Sequence, residues 1–137
     1  MPFPLDPVFI RKAEEKLGKL LPTSYVTKMC QENGGTIFAG EDDWDLFPVF
    51  DSSDQKRIKR TCNDICLETK NAREFPHFSA ESLAIGSNGG GDLLILMSHQ
   101  ESCSSYSEAI CAWDHNSGNI YEIAPDFSAF QSKIGTD

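Results

Sequence analysis

The stretch AIGSNGGGDLLILM, residues 84–97, decides the fold, because three consecutive glycines before an aspartate either cradle a phosphate or turn a strand back on itself. A Walker-type loop needs a Lys and a Ser or Thr after its last glycine, then a helix whose N-terminus faces the phosphates. Here Asp92 stands where the cation is required, and LLILM reads as a buried strand. The dinucleotide fingerprint fails for the same reason, since no helix opens after the glycines. The reading is therefore a hairpin in which Asn88, Gly89, Gly90 and Gly91 take backbone angles closed to most residues, Asp92 fixes the turn, and Gly90→Val unfolds the protein.

Outward from this hairpin, the expected strands are 82–87, 92–98, 109–114 and 119–123, the last two joined by the turn sequence HNSG. They make a four-stranded antiparallel meander with HQESCSSYSE as its longest loop. Upstream, Asp6-Pro7 is a helix start followed by Ile10, Ala13 and Leu17 at helical spacing, with Gly18 as the stop. A second helix begins at Pro22, carries Tyr25, Val26, Met29 and Cys30 on one side, and is ended by Asn33-Gly34-Gly35. TIFAG and LFPVF are strand-like pieces separated by an acidic loop, Glu41-Asp42-Asp43-Trp44-Asp45. Residues 53–72 return to helical spacing as one helix, with Ile58, Cys62, Ile65, Cys66 and Thr69 inward and four cations in its early turns. A short closing helix carries Phe127, Phe130 and Ile134. The expectation is a single α+β domain over residues 1–137, a mostly antiparallel sheet packed against helices.

Charge narrows the partners. Twelve Lys and Arg against 21 Asp and Glu leave a net charge of −9, which repels phosphate backbones and anionic membranes and favours basic protein partners. Neither a nucleic acid nor a membrane is expected as partner. The N-terminal MPFPLD lacks a basic, apolar leader, no stretch approaches a span's ~20 apolar residues, and the odd set of five cysteines lacks paired short spacings, so a cytoplasmic protein is expected.

Chemistry finds little support. Cys62 and Cys66 stand one helical turn apart and, with His77, His99 or His115, offer metal ligands, but they fall on the apolar stripe and lack CxxC or HxxxH spacing, so they read as core and no metal or cofactor is expected. A cysteine hydrolase with one of the three histidines has no local signature. The acidic loop lacks the ligand pattern of a calcium site and is either a solvated loop or a contact for a basic partner. Trp44 within it is either that contact's anchor or a core residue.

The succession EEKLGKLLPTSYVTKMCQENGG, WDLFPV, LAIGSNGGGDLLIL and WDHNSGNIYEIAPDFSAF resembles the SUKH superfamily, in its first and broadest group, related to the fungal cell-wall-assembly regulator, from about residue 9 to residue 130. The resemblance implies an α+β fold and a non-enzymatic protein that binds and neutralises a cognate toxin domain, nucleases included. A regulatory interaction module of the same fold is the alternative. SHQESCSSYSE looks longer than the corresponding link in the family. That departure adds Tyr106 and Glu108 to Glu41, Asp42, Asp43, Trp44 and Asp45 as expected partner-binding residues.

Overall fold

Strands in this chain pair in the order in which they occur. The computed structural model describes residues 3–39, 42–79, 81–98 and 105–128. Two helices come first, α1 (Pro7–Leu17) and α2 (Thr23–Gln31), then strands β1 (Thr36–Ala39) and β2 (Asp42–Leu46). Helices α3 (Gln55–Thr61) and α4 (Ile65–Ala72) precede β3 (Leu83–Ser87), β4 (Leu93–Ser98), β5 (Tyr106–Trp113) and β6 (Ile120–Ala124). The six strands form one sheet in sequence order, each antiparallel to the next. The expected meander is thus present as β3 to β6, and β1 and β2 extend it.

Local chemistry explains the helix boundaries. Asp6 accepts a 2.9 Å hydrogen bond from Val8 N–H at the start of α1, and Gly18 closes it at φ 75°. The expected single helix over 53–72 is two, because Asp64 accepts from the N–H groups of Cys66 and Leu67 at 2.9 and 3.0 Å and caps a fresh start. Cys62 consequently falls at the end of α3 and is exposed, so it does not share an inward stripe with Cys66. Helix α2 ends on extended Glu32, and the turn at Gly34 and Gly35 follows it. The closing helix lies mostly outside the described residues, although Phe127 is buried against Tyr25.

The sheet is covered on both faces at its centre. Ile37, Trp44, Leu46, Ile85, Leu94 and Ile110 pack with Phe9, Ile10, Tyr25 and Met29 from α1 and α2. Ala84, Leu93, Ile95, Cys111 and Trp113 meet Ala72 and Phe78 on the opposite side. Strands buried on both faces read as continuous apolar runs, which is why LLILM shows no alternation. Where the β3–β4 register shifts between Ala84 and Gly86, Thr69 of α4 accepts from Ala84 N–H at 2.9 Å and substitutes for a strand partner. Gly86 admits β2 at this point, since a Cβ there would stand 2.9 Å from the Asp45 carbonyl oxygen.

The glycine turn is a hairpin, but its constraints are distributed differently from the expectation. Asn88 organises it through its side-chain oxygen, which accepts from Gly90 N–H at 2.9 Å and Asp92 N–H at 3.2 Å. Gly89 and Gly91 have φ of 83° and 107°, whereas Gly90 is not among the positive-φ residues, and a Cβ on it would make only an ordinary 3.5 Å contact with Asn88. The expected unfolding by Gly90→Val is therefore replaced by a different contrast. Gly91→Ala, which combines the positive φ with a Cβ 2.9 Å from the His115 ring, is expected to cost about 1–2 kcal/mol, and Gly90→Ala to stay within about 0.5 kcal/mol. Urea unfolding of the two variants checks this, and equal losses would refute it.

Asp92 reaches beyond its own hairpin. Its Oδ1 accepts from His115 N–H at 3.1 Å and lies 2.7 Å from His115 Nδ1, tying the β3–β4 turn to the β5–β6 turn. Burial pushes the Asp92 carboxyl up, but the bonds from His115 and Asn88 outweigh it and hold the group below the usual carboxylate range.

Candidate protein-binding surface

The acidic segment taken as a loop is largely strand β2, and its alternation sorts the residues. Ile37 pairs with Trp44 facing the core, while Phe38 pairs with Asp43 and Thr36 with Asp45 facing outward. Trp44 is 1% exposed and its Nε1 donates to the Ala39 carbonyl at 3.1 Å, so it is a core residue and does not anchor a partner. Phe38 is 54% exposed and takes the position that Trp44 was expected to hold. The outward face therefore presents a phenyl ring with Asp43 directly across from it and Asp45 one pair further along. Asp43 has no hydrogen-bond or ion-pair partner among the described residues. Asp45 accepts from the Thr36 hydroxyl at 2.8 Å. Asp42 points elsewhere, accepting from the Asn88 amide at 3.0 Å, and Glu41 lies outside the described residues.

Two further expected contacts have intramolecular roles. Tyr106 is buried at the start of β5, a strand that begins earlier than the alternation implied. Glu108, also on β5, accepts from the N–H groups of Thr23 and Ser24 at 3.1 and 3.2 Å and from the Ser24 hydroxyl at 2.6 Å. Its carboxylate thus serves the exposed donors at the start of α2, where Pro22 offers none of its own. The expected loop shrinks accordingly, and its residues 99–104 lie outside the described residues.

Phe38 was legible in principle. Thr36-Ile37-Phe38-Ala39 alternates, and burying Ile37 and Ala39 sends Phe38 outward. Treating residues 41–45 as a loop hid the partner strand that makes this face.

A family model described as the SMI1 / KNR4 family (SUKH-1) matches residues 4–133. The chain belongs to that family. The match spans every helix and strand among the described residues of this SUKH-1 domain, from α1 to β6. No curated protein matches the SUKH-1 chain closely. No helix among the described residues is long and apolar enough to cross a membrane.

Cys66 and Cys111 show little nucleophilic character. Burial, aided by Asp64 and opposed by Lys16, pushes the Cys66 thiol up to about 11, and burial with Glu122 nearby raises Cys111. Thiols raised in this way stay protonated at neutral pH, the reverse of an activated nucleophile. The same shift carries a stability consequence. Because Cys66 ionises at higher pH folded than unfolded, its contribution is complete below about 9 and is lost as pH rises through about 11. Two units correspond to ~2.7 kcal/mol, which partial exposure reduces to about 1 kcal/mol. Cys66→Ala is expected to flatten the alkaline fall in urea midpoint by that amount, and an unchanged slope would remove Cys66 from the account.

Proposed function

We propose that this SUKH-1 domain is a non-enzymatic immunity protein that binds a basic cognate toxin domain and blocks its action, with the outer face of the β1–β2 hairpin as the contact. The observation that carries this reading is Phe38, 54% exposed on an edge strand and faced by the carboxylate of Asp43, which has no partner among the described residues. An aromatic ring supplies buried contact area, and the flanking carboxylates select cationic surroundings for it. The net charge of −9 steers a basic partner toward the whole molecule, and the hairpin face gives that attraction a location. The raised Cys66 and Cys111 thiols and the glycine turn built as a hairpin support a reading of binding rather than turnover.

Affinity capture tests the proposal, comparing the parent with a Phe38→Ala, Asp43→Lys, Asp45→Lys variant and identifying retained proteins from native cells and from the secreted fraction of competing cells. A basic toxin domain held one to one by the parent, and at least about tenfold more weakly by the variant, is the expected result. Equal retention by both would remove the hairpin face. Recovery of an intracellular regulator instead would replace immunity with a regulatory interaction module.

A further inference from the structure

Basic residues are scarce in this acidic chain, and α1 places two of the 12 on one face. Lys12 and Lys16 stand one helical turn apart, so their side chains leave the helix side by side. Each lies over an aromatic ring, Lys12 Nζ 5.3 Å from the ring centre of Phe9 and Lys16 Nζ 5.7 Å from that of Phe50. Neither makes an ion pair with a carboxylate among the described residues.

The two lysines border a hollow of about 150 Å³ between α1 and the start of α4. Phe9, Ala13, Phe50 and Cys66 line it with apolar surface. Phe9 and Ala13 are buried and the lysines exposed, so the hollow has an apolar floor and a cationic mouth. An apolar cavity of about this size takes one benzene ring. Asp64 is the acidic residue on its walls, but Asp64 Oδ1 already accepts from Cys66 and Leu67 N–H at the positive end of α4, and two cations outnumber it. Burial and Asp64 push the Cys66 thiol up while Lys16 pulls it down, which puts the Lys16 charge within electrostatic reach of the α4 wall.

We infer that this hollow binds a small aromatic monocarboxylate, its ring against Phe9, Ala13 and Phe50 and its carboxylate between the Lys12 and Lys16 ammonium groups. The class follows from joining floor to mouth. An inorganic anion would leave the apolar floor unfilled, and an uncharged ring would leave the two cations unanswered, whereas an aromatic acid gains apolar burial and charge-assisted hydrogen bonds together. The aromatic rings beneath the lysines hold them near the mouth, so less side-chain freedom is lost on binding. No residue of the β1–β2 hairpin lines the hollow, and the site is independent of the acidic face and attracts ligands of the opposite sign.

Amide NMR titration of the whole chain with benzoate and, separately, with benzylamine tests the inference. Benzoate is expected to give saturable shifts at Ala13, Phe50 and Cys66 with a Kd on the order of 1 mM, and benzylamine, the same ring with the opposite charge, none there. Lys16→Gln should weaken benzoate about tenfold, while Arg11→Gln, the same charge loss on α1 at a residue outside the hollow, leaves it intact. Saturating benzoate should also slow alkylation of Cys66 by iodoacetamide without slowing that of the exposed Cys62. If Lys16→Gln does not fold, the parent's preference for benzoate over benzylamine decides. Equal shifts with both probes, equal weakening by Arg11→Gln, unprotected Cys66, or shifts that rise without saturating would overturn the assignment.

Discussion

Trp44→Ala is expected to lower the unfolding free energy by about 3–5 kcal/mol, the range for emptying a large buried aromatic site. The indole is 1% exposed, packs between the sheet and the first helices, and gives its N–H to Ala39. Removing it loses the buried area and leaves that carbonyl inside without its donor. For a domain of ~5–15 kcal/mol total stability, such a loss brings the chain close to its folding threshold. Phe38→Ala, on the adjacent strand but the opposite face, is expected to cost less than about 1 kcal/mol and to weaken partner capture instead. Urea unfolding of the pair separates the two roles. Comparable losses in both would mean that the inside and outside of this hairpin have been assigned wrongly.

The second large effect is expected at Glu108, an exposed residue whose truncation would ordinarily be harmless. Glu108→Ala removes the acceptor for two backbone N–H groups and one hydroxyl at the start of α2, and its loss is put at about 2–3 kcal/mol, the upper range for a charged helix cap. The Ser24 hydroxyl also accepts from Phe127 N–H at 3.1 Å, so the damage extends to the segment after β6. Glu108→Gln keeps an acceptor without its charge and should recover roughly half of the loss. Hydrogen exchange at Thr23 and Ser24 provides the local readout. Unchanged protection of those amides in Glu108→Ala would show that the cap does not depend on this carboxylate.

Much of the architecture was legible because neighbouring residues enforce it. The first helix announces both ends through Asp6-Pro7 and Gly18, and the four later strands are punctuated by Asn88-to-Asp92 and HNSG. The sequence was read less well where distant partners decide. Nothing local shows that Glu108 leaves a strand to cap a helix, or that Thr69 completes a bulged strand across a helix–sheet interface. The acidic run was misread because Asp-Asp-Trp-Asp has low strand propensity, and pairing with Thr36–Ala39 overrides that preference. Gly90 was misread because three glycines in a row do not reveal which of them takes the unusual angle. The α3 cations stand near a positive helix end, and their compensation by Asp54, Asp51 and the Phe3 ring comes from partners that no local pattern shows.

The sequence-ordered sheet bears on how the chain acquires its structure. Each strand from β1 to β6 finds its partner in the next strand of the chain, so sheet growth proceeds by short closures except between β2 and β3, where α3 and α4 intervene. The two leading helices are a further exception. Their fastening points on the sheet include β5, through Glu108 to Thr23 and Ser24 and through the Tyr106 N–H bond to the Leu20 carbonyl. As the chain leaves the ribosome, the oldest segment therefore cannot complete its docking until one of the youngest has emerged, and the apolar face of α1 and α2 stays uncovered in the interval. Protein-quality-control factors would meet this domain first on its leading helices, on residues such as Phe9, Ile10, Tyr25 and Met29 that are buried once folding is complete.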